Sequence, residues 1–177
     1  MDINKTLYRV SKEIIESEII NPLLIGIPRR GDHLAKRISD NLVSLKYSHD
    51  LDTVNYKSFR DDLEYEDNKA PLIVNPENRD VILIDDVIYT WRTLRASIEA
   101  VIYSGRAQSI SVACLIDRGH RELPISPKFI GKNIPTSESE YVNVYLSELD
   151  GRDEVEVSWW IIYYILRIWI RKKHQRF

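Results

Sequence analysis

The stretch VILIDDVIYTWRTLRASIEA, residues 81–100, constrains the fold more than any other part of the chain. Four apolar residues have the character of a buried strand and run straight into Asp85-Asp86. A short turn containing Thr90 follows. From Leu94, the positions Leu94, Ile98, Val101 and Ile102 recur at helical spacing, and Gly105 is a suitable stop. A strand feeding directly into an amphipathic helix is half of a strand–helix–strand unit. The same grammar recurs. PLLIGIP (22–28) is a short apolar run, followed by Arg29-Arg30-Gly31 and a helix with Leu34, Ala35, Ile38 and Leu42 on one side. ISVACLI (110–116) and KFIG (128–131) are further strands, and residues 4–18 place Leu7, Val10, Ile14 and Ile15 on one helical face. Residues 51–70 begin strand-like and turn acidic, which predicts a mobile surface loop. Short apolar strands alternating with helices predict an α/β fold: a central, mostly parallel sheet flanked by helices on both faces.

With 177 residues the chain is long enough for one domain with a real core. Its 44% hydrophobic and 29% charged residues place it among globular rather than disordered proteins. The single cysteine, Cys114, lies inside an apolar run. It excludes an internal disulfide framework, reads as a core residue, and fits a reducing cytosol. The N-terminus has no apolar signal region, so a cytoplasmic protein is expected. The net charge of −2 hides an asymmetry. The last twenty residues carry Arg167, Arg171, Lys172, Lys173 and Arg176 and no acid, so residues 1–157 hold −7. A body this acidic binds a polyanion only through a local basic patch.

In parallel α/β sheets the ligand lies beyond the carboxyl ends of the strands. The distinctive polar residues fall there: Arg29-Arg30-Gly31, Asp85-Asp86, and Asp117-Arg118-Gly119-His120-Arg121. A helix N-terminus after the 85–93 turn offers outward backbone N–H groups and a favourable dipole for a phosphate. Thr90 and Thr93 add hydroxyls and Arg92 a charge. Paired aspartates accept hydrogen bonds from a vicinal diol such as a ribose. Together these residues read as a ribose 5-phosphate pocket. His120 reads either as a contact to a base or as a residue that shapes its loop.

DDVIYTWRT resembles the phosphoribosyl-diphosphate signature of the type I phosphoribosyltransferases. LIGIPRRGDHLAKRI is similar to their first loop, FRDDL to the hood loop of one branch, and LIDRGHRELPISPKFIGKNIPTS to the PyrR-type branch, which combines pyrimidine-operon attenuation with uracil phosphoribosyl transfer. The resemblance spans about residues 5–157. It implies a type I phosphoribosyltransferase-like domain over 1–157, with a flexible hood loop. It implies catalysis around Asp85, Asp86 and Arg60, with Asp61 and Asp62 also on the hood. Phosphoribosyl diphosphate would be held by Arg30, Gly31, Asp85, Asp86, Thr90, Trp91, Arg92 and Thr93. Uracil would be held by Arg118, Gly119, His120, Arg121 and Ile134. Mg²⁺ would arrive on the diphosphate rather than in a protein cage. A purine base is the weaker alternative, because RGHRELPI speaks against it. The resemblance also implies a homodimer or higher homo-oligomer that senses UMP or UTP and binds the leader mRNA of a pyrimidine operon, with Arg9, Lys12, Lys36 and Arg37 as the RNA-facing residues. Tyr8 and Lys12 stand where threonine and histidine are usual.

Two features depart further from the pattern. Trp91 occupies the glycine position of the phosphate turn. The expectation is that its indole points to solvent or to a partner, or that the turn shifts, weakening phosphoribosyl affinity. An RNA-binding regulator with little catalysis is the resulting alternative, and Trp91→Gly would then raise kcat/KM roughly 5- to 100-fold. The tail 158–177 is extra. Its apolar run 159–170 would span roughly 18 Å as a helix, too short for a bilayer of about 30 Å. It is expected to pack on the domain or between subunits, with a basic, Trp-rich contact to a membrane surface as the alternative.

Overall fold

The computed structural model describes residues 1–59, 70–88, 91–119 and 125–159. Helix α1 (Ile3–Glu16) leads into β1 (Leu23–Gly26), α2 (Gly31–Ser44) and β2 (Asp50–Thr53). A single 3-10 turn covers Lys57–Phe59. Then come β3 (Asp80–Ile88), α3 (Arg92–Ser104), β4 (Ser109–Asp117) and β5 (Phe129–Asn133). Strand β6 (Glu140–Tyr145), the short helix α4 (Ser147–Asp150) and β7 (Glu154–Trp159) complete the described chain. The first five strands form one sheet in the order β2-β1-β3-β4-β5, with every pairing parallel. Strands β6 and β7 form a separate antiparallel pair.

The expected two-sided sheet is present, and strand periodicity explains it. Successive residues of a strand face opposite ways. Leu24, Ile82, Ile84, Ala113 and Leu115 join α1 and α2 in one core, through Leu7, Val10, Ile14, Leu34, Ile38 and Leu42. Leu23, Ile25, Val81, Leu83, Val112 and Cys114 join α3 in the other, through Leu94, Ala100 and Val101. Both faces are covered, so these strands read as continuous apolar runs. Asp2 caps α1 by accepting the Lys5 N–H at 3.1 Å.

Three differences from the sequence reading matter. First, β3 extends to Ile88, so Asp85 and Asp86 lie inside the strand rather than after it. Second, residues 140–159 build a hairpin that the sequence reading passed over, and Val142, Val144 and Leu146 pack into the α1/α2 core. Third, Ser158 and Trp159 belong to this hairpin, opposite Tyr141 and Glu140. The remainder of the tail, 160–177, lies outside the described residues. Among the described residues no helix is long and apolar enough to cross a membrane.

Candidate active site

The strand order reverses direction at β1. Chain order runs outward to β2 on one side and through β3, β4 and β5 on the other. A crevice at the carboxyl ends of β1 and β3 follows from that topology. Two glycines set its floor. A Cβ on Gly31 would lie 2.2 Å from the Ile84 carbonyl oxygen, and one on Gly26 would lie 2.4 Å from the Asp32 Cα. The N-terminus of α2 therefore sits directly on the backbone of β3, just before the two aspartates. The Pro28–Arg29 peptide of this β1–α2 loop is cis. Arg30 is the N-cap residue of α2 and half-buried. Its terminal nitrogen donates to both oxygens of Asp150 at 3.2 Å. Its Nε is buried and has no hydrogen-bond partner among the described residues.

Asp85 and Asp86 are adjacent on β3, and each carboxylate folds back onto its own strand. Asp85 accepts the Asp86 N–H at 2.9 Å, and Asp86 accepts the Val87 N–H at 2.8 Å. Burial, reinforced by the charge of Asp86, pushes the Asp85 carboxyl well above the usual carboxylate range. Burial also raises Asp86, against the Val87 N–H and the positive charge of Arg30, which hold it down. Two like charges in a desolvated crevice are an unfavourable arrangement unless a ligand supplies donors or positive charge. Ribose hydroxyls, or a hard divalent cation that takes oxygen ligands, are groups of that kind.

Beyond β3 the chain enters α3 through Trp91, whose φ of +61° and ψ of −2° are left-handed. The conformation that the phosphate signature assigns to glycine is thus kept by a tryptophan. Its indole is 3% exposed and packs with Ile88, Leu94, Leu72 and Val54 in the α3 core. The expectation that the indole points to solvent or a partner is therefore corrected. The ring is large and apolar, and the space beneath the first turn of α3 takes it. The burial leaves the indole Nε1 without a hydrogen-bond partner among the described residues. No side chain caps α3. Arg92 is exposed and Thr93 half-buried in its first turn, next to the carboxyl end of β3.

The β4 end lies alongside, with Ile88 opposite Asp117. Arg118 is 3% exposed. Its Nε donates to the Thr136 hydroxyl at 2.8 Å, and a terminal nitrogen donates to the Ser137 carbonyl at 3.2 Å and to the Glu140 carbonyl. The guanidinium thus holds the loop into β6. Asp117, which sequence reasoning placed in this cluster without a role, accepts the Gly119 N–H at 2.8 Å and shapes the turn at Gly119, whose φ is +80°. Ile134 is half-buried and packs against the α1/α2 core, and its N–H donates to the Asp117 carbonyl at 2.9 Å. The structure brings Arg30, Gly31, Asp85, Asp86, Trp91, Arg92 and Thr93 to the β1/β3 end and Arg118, Gly119 and Ile134 to the β4 end. Arg60, Asp61, Asp62, Thr90, His120 and Arg121 lie outside the described residues.

The four RNA-facing candidates differ in what holds them. Lys12, Lys36 and Arg9 are exposed, Lys12 over the Tyr8 ring and Lys36 paired with Asp40 at 2.7 Å. Arg9 is tied to the fold by Glu13 and by the Ile130 and Gly131 carbonyls. Arg37 is bound by Glu148 at 2.6 Å and Asp153 at 2.8 Å, and also donates to Ser147 and Asn4. Hydrogen bonds from Arg37 hold both acids below their usual range.

Residues 2–148 match the phosphoribosyl transferase domain family. The chain is 45% identical over 158 residues to the bifunctional protein PyrR of Streptococcus suis, covering 88% of this chain and 91% of that protein. It is 46% identical over 162 residues to the bifunctional protein PyrR of Clostridium kluyveri, covering 88% and 92%. Among solved structures, a singly substituted hypoxanthine phosphoribosyltransferase of Trypanosoma cruzi, complexed with the product IMP, superposes with a TM-score of 0.73 at 18% identity. That superposition covers 99% of this chain and 88% of that one. A Staphylococcus aureus hypoxanthine phosphoribosyltransferase gives 0.63 at 22% identity, covering 85% and 84%. At these identities the structures share the fold. The strand order, the placement of the aspartate pair and the sequence relatives converge, and the chain belongs to the phosphoribosyltransferase family, among the bifunctional PyrR proteins.

Proposed function

We propose that the chain is a uracil phosphoribosyltransferase, converting uracil and phosphoribosyl diphosphate to UMP and pyrophosphate, and that it also regulates pyrimidine-biosynthesis genes by uridine-nucleotide-dependent binding of leader mRNA. One observation carries the enzymatic reading. The α2 N-terminus, the aspartate pair and the α3 N-terminus meet at the switch point of a parallel sheet. In the reaction the bond from the ribose anomeric carbon to the diphosphate breaks. A bond from that carbon to a ring nitrogen of uracil forms, and the displaced ring proton leaves to solvent. Positive charge grows on the sugar and negative charge on the leaving group, so the enzyme's task is to position the base, stabilise the diphosphate and exclude water.

Each part of the site suits one share of that task. The unmet Arg30 Nε and the α2 N-terminus suit the diphosphate. Asp85 and Asp86 suit the ribose hydroxyls, which relieve their mutual repulsion. Thr90, Arg92 and Thr93 suit the 5-phosphate, and the family resemblance assigns Arg60 to catalysis there. Because the left-handed turn at Trp91 is already formed, the backbone geometry for the phosphate is available without a glycine. The family resemblance assigns uracil to Gly119, His120, Arg121 and Ile134, with Arg118 fixing the turn beside it. The hard oxygen donors of the aspartate pair fit Mg²⁺ accompanying the diphosphate, which supplies charge neutralisation when bound.

UMP, or UTP, at the same crevice is the effector for RNA binding, and linkage requires RNA to tighten nucleotide binding as much as nucleotide tightens RNA. A cytoplasmic homodimer or higher homo-oligomer fits this role. The test is turnover with Mg²⁺ and phosphoribosyl diphosphate: UMP forms from uracil, while hypoxanthine and guanine are inert. Equal turnover of either purine would overturn the assignment.

A further inference from the structure

The segment SELDGRD (147–153) addresses both arginines of α2, and one of those contacts reaches the active site. Arg30 and Arg37 stand seven positions apart, about two helical turns, and so share a face. Glu148, Asp153 and Ser147 take Arg37, and Asp150 takes Arg30. Asp150 is itself held. Its backbone N–H donates to the Leu146 carbonyl at 2.7 Å, and its carboxylate accepts the Leu146 N–H at 2.9 Å. Leu146 is fully buried. The Ser147 N–H donates to Asp153 at 2.8 Å. Gly151, at a φ of +71°, closes the helix behind Asp150. The carboxylate therefore stands on a platform locked to the core on one side and to α2 on the other.

We propose that Asp150 is a positioning residue for the diphosphate. It pins the terminal nitrogen of Arg30 so that the rest of the guanidinium meets the leaving group. The inference rests on the reading of the crevice given above. Its support is the division of labour on Arg30. One nitrogen is engaged by both Asp150 oxygens, while the buried Nε has no partner among the described residues. An arginine fixed at one end and unmet nearer its stem is preorganised for an anion. The pair is about a quarter to a third exposed. Its value to overall stability is therefore screened, and its effect should appear in ligand binding instead.

The experiment is a double-mutant cycle on the full chain with wild type, Asp150→Asn, Arg30→Gln and the pair. Two readouts are taken: the Kd for magnesium pyrophosphate by calorimetry, and KM for phosphoribosyl diphosphate and for uracil in UMP synthesis. Asp150→Asn is expected to weaken pyrophosphate and raise KM for phosphoribosyl diphosphate, each by roughly 3- to 10-fold. KM for uracil should stay unchanged, and Asp150→Glu should recover part of the loss. In the Arg30→Gln background the same substitution should change neither constant. If Asp150→Asn loosens the fold, the comparison within the Arg30→Gln background still separates positioning from stability. Unchanged or tighter pyrophosphate binding in Asp150→Asn overturns the inference, as does an equal loss in both backgrounds. A wild-type chain that binds pyrophosphate without making UMP refutes the uracil reading alone. One that binds neither pyrophosphate nor phosphoribosyl diphosphate refutes both.

Discussion

Replacing Trp91 with glycine tests how the phosphate turn is built. The residue is left-handed at φ +61°, which costs a bulky side chain about 1–2 kcal/mol. Its buried Nε1 lacks a partner, and an unmet donor costs about 1–3 kcal/mol. Glycine removes both penalties. It also removes an indole that is 3% exposed beneath α3, and emptying such a site costs about 3–5 kcal/mol. Central values leave a net loss of about 0.5 kcal/mol. For a chain of this size that lowers Tm by about 1–2 °C. Trp91→Phe deletes the unmet donor and empties only part of the indole's space, so it should be the more stable of the two variants. The strain is present before any ligand arrives, so its release does not favour the transition state over the free enzyme. The kcat/KM for phosphoribosyl diphosphate in Trp91→Gly should therefore move by less than about 5-fold, not the larger rise that the sequence alone suggests. Thermal unfolding by circular dichroism and initial rates of UMP formation read the two effects. A Trp91→Gly chain with a clearly raised Tm and a kcat/KM higher by an order of magnitude would refute this account of the turn.

Asp85→Asn and Asp86→Asn should each raise Tm at neutral pH while sharply reducing UMP synthesis. Both folded-state pKa values are raised, so the folded state binds protons more tightly than the unfolded chain. The pair's unfavourable contribution is absent below the unfolded value of about 3.9 and grows as pH rises through the raised folded values. The Tm gain of either variant should therefore shrink toward pH 4, as a series of melts would show. Gly31→Ala places a Cβ 2.2 Å from the Ile84 carbonyl and should unfold at clearly lower denaturant than wild type. Lys12→Ala with Lys36→Ala should weaken UMP-dependent retention of a leader RNA hairpin on a filter. The salt slope should fall by about 1.4 if each lysine meets one phosphate of a single strand. Arg37→Ala should instead lower Tm, because Glu148 and Asp153 lose their partner. Ending the chain after Trp159 should leave UMP synthesis largely intact, since β7 is then complete.

Strands β1, β3 and β4 were legible because burial on both faces makes them unbroken apolar runs. The site was legible for a related reason: topology puts the residues after such runs at one edge, so Gly31 and Asp85-Asp86 converge without any knowledge of contacts. The rest depended on long-range partners. No local pattern announces that Asp150 meets Arg30, or that Glu148 and Asp153 surround Arg37, because each pair is more than a hundred residues apart. The basic residues of α1 and α2 looked equivalent in sequence, yet Arg9 and Arg37 are engaged within the fold. Trp91 misled for a different reason. A glycine position predicts the backbone angle correctly but says nothing of the space beneath it, which here is large enough for an indole. The β6–β7 hairpin did carry a signal, the alternation of Val142, Val144 and Leu146 with polar neighbours, and that signal was overlooked beside the stronger parallel strands.

The central claim is that the β1/β3 crevice holds a phosphoribosyl group and a pyrimidine base. The most direct measurement is a thermal-shift comparison of wild type and Asp85→Asn/Asp86→Asn with UMP, GMP, and phosphoribosyl diphosphate plus Mg²⁺. At about one hundred times Kd a bound ligand adds about 2.7 kcal/mol, or roughly 5–11 °C for a chain of this size. The account predicts a rise of that order for UMP and phosphoribosyl diphosphate in wild type, little for GMP, and the loss of most of the rise in the double variant. Equal shifts for UMP and GMP, or a rise undiminished by removing both carboxylates, would contradict it.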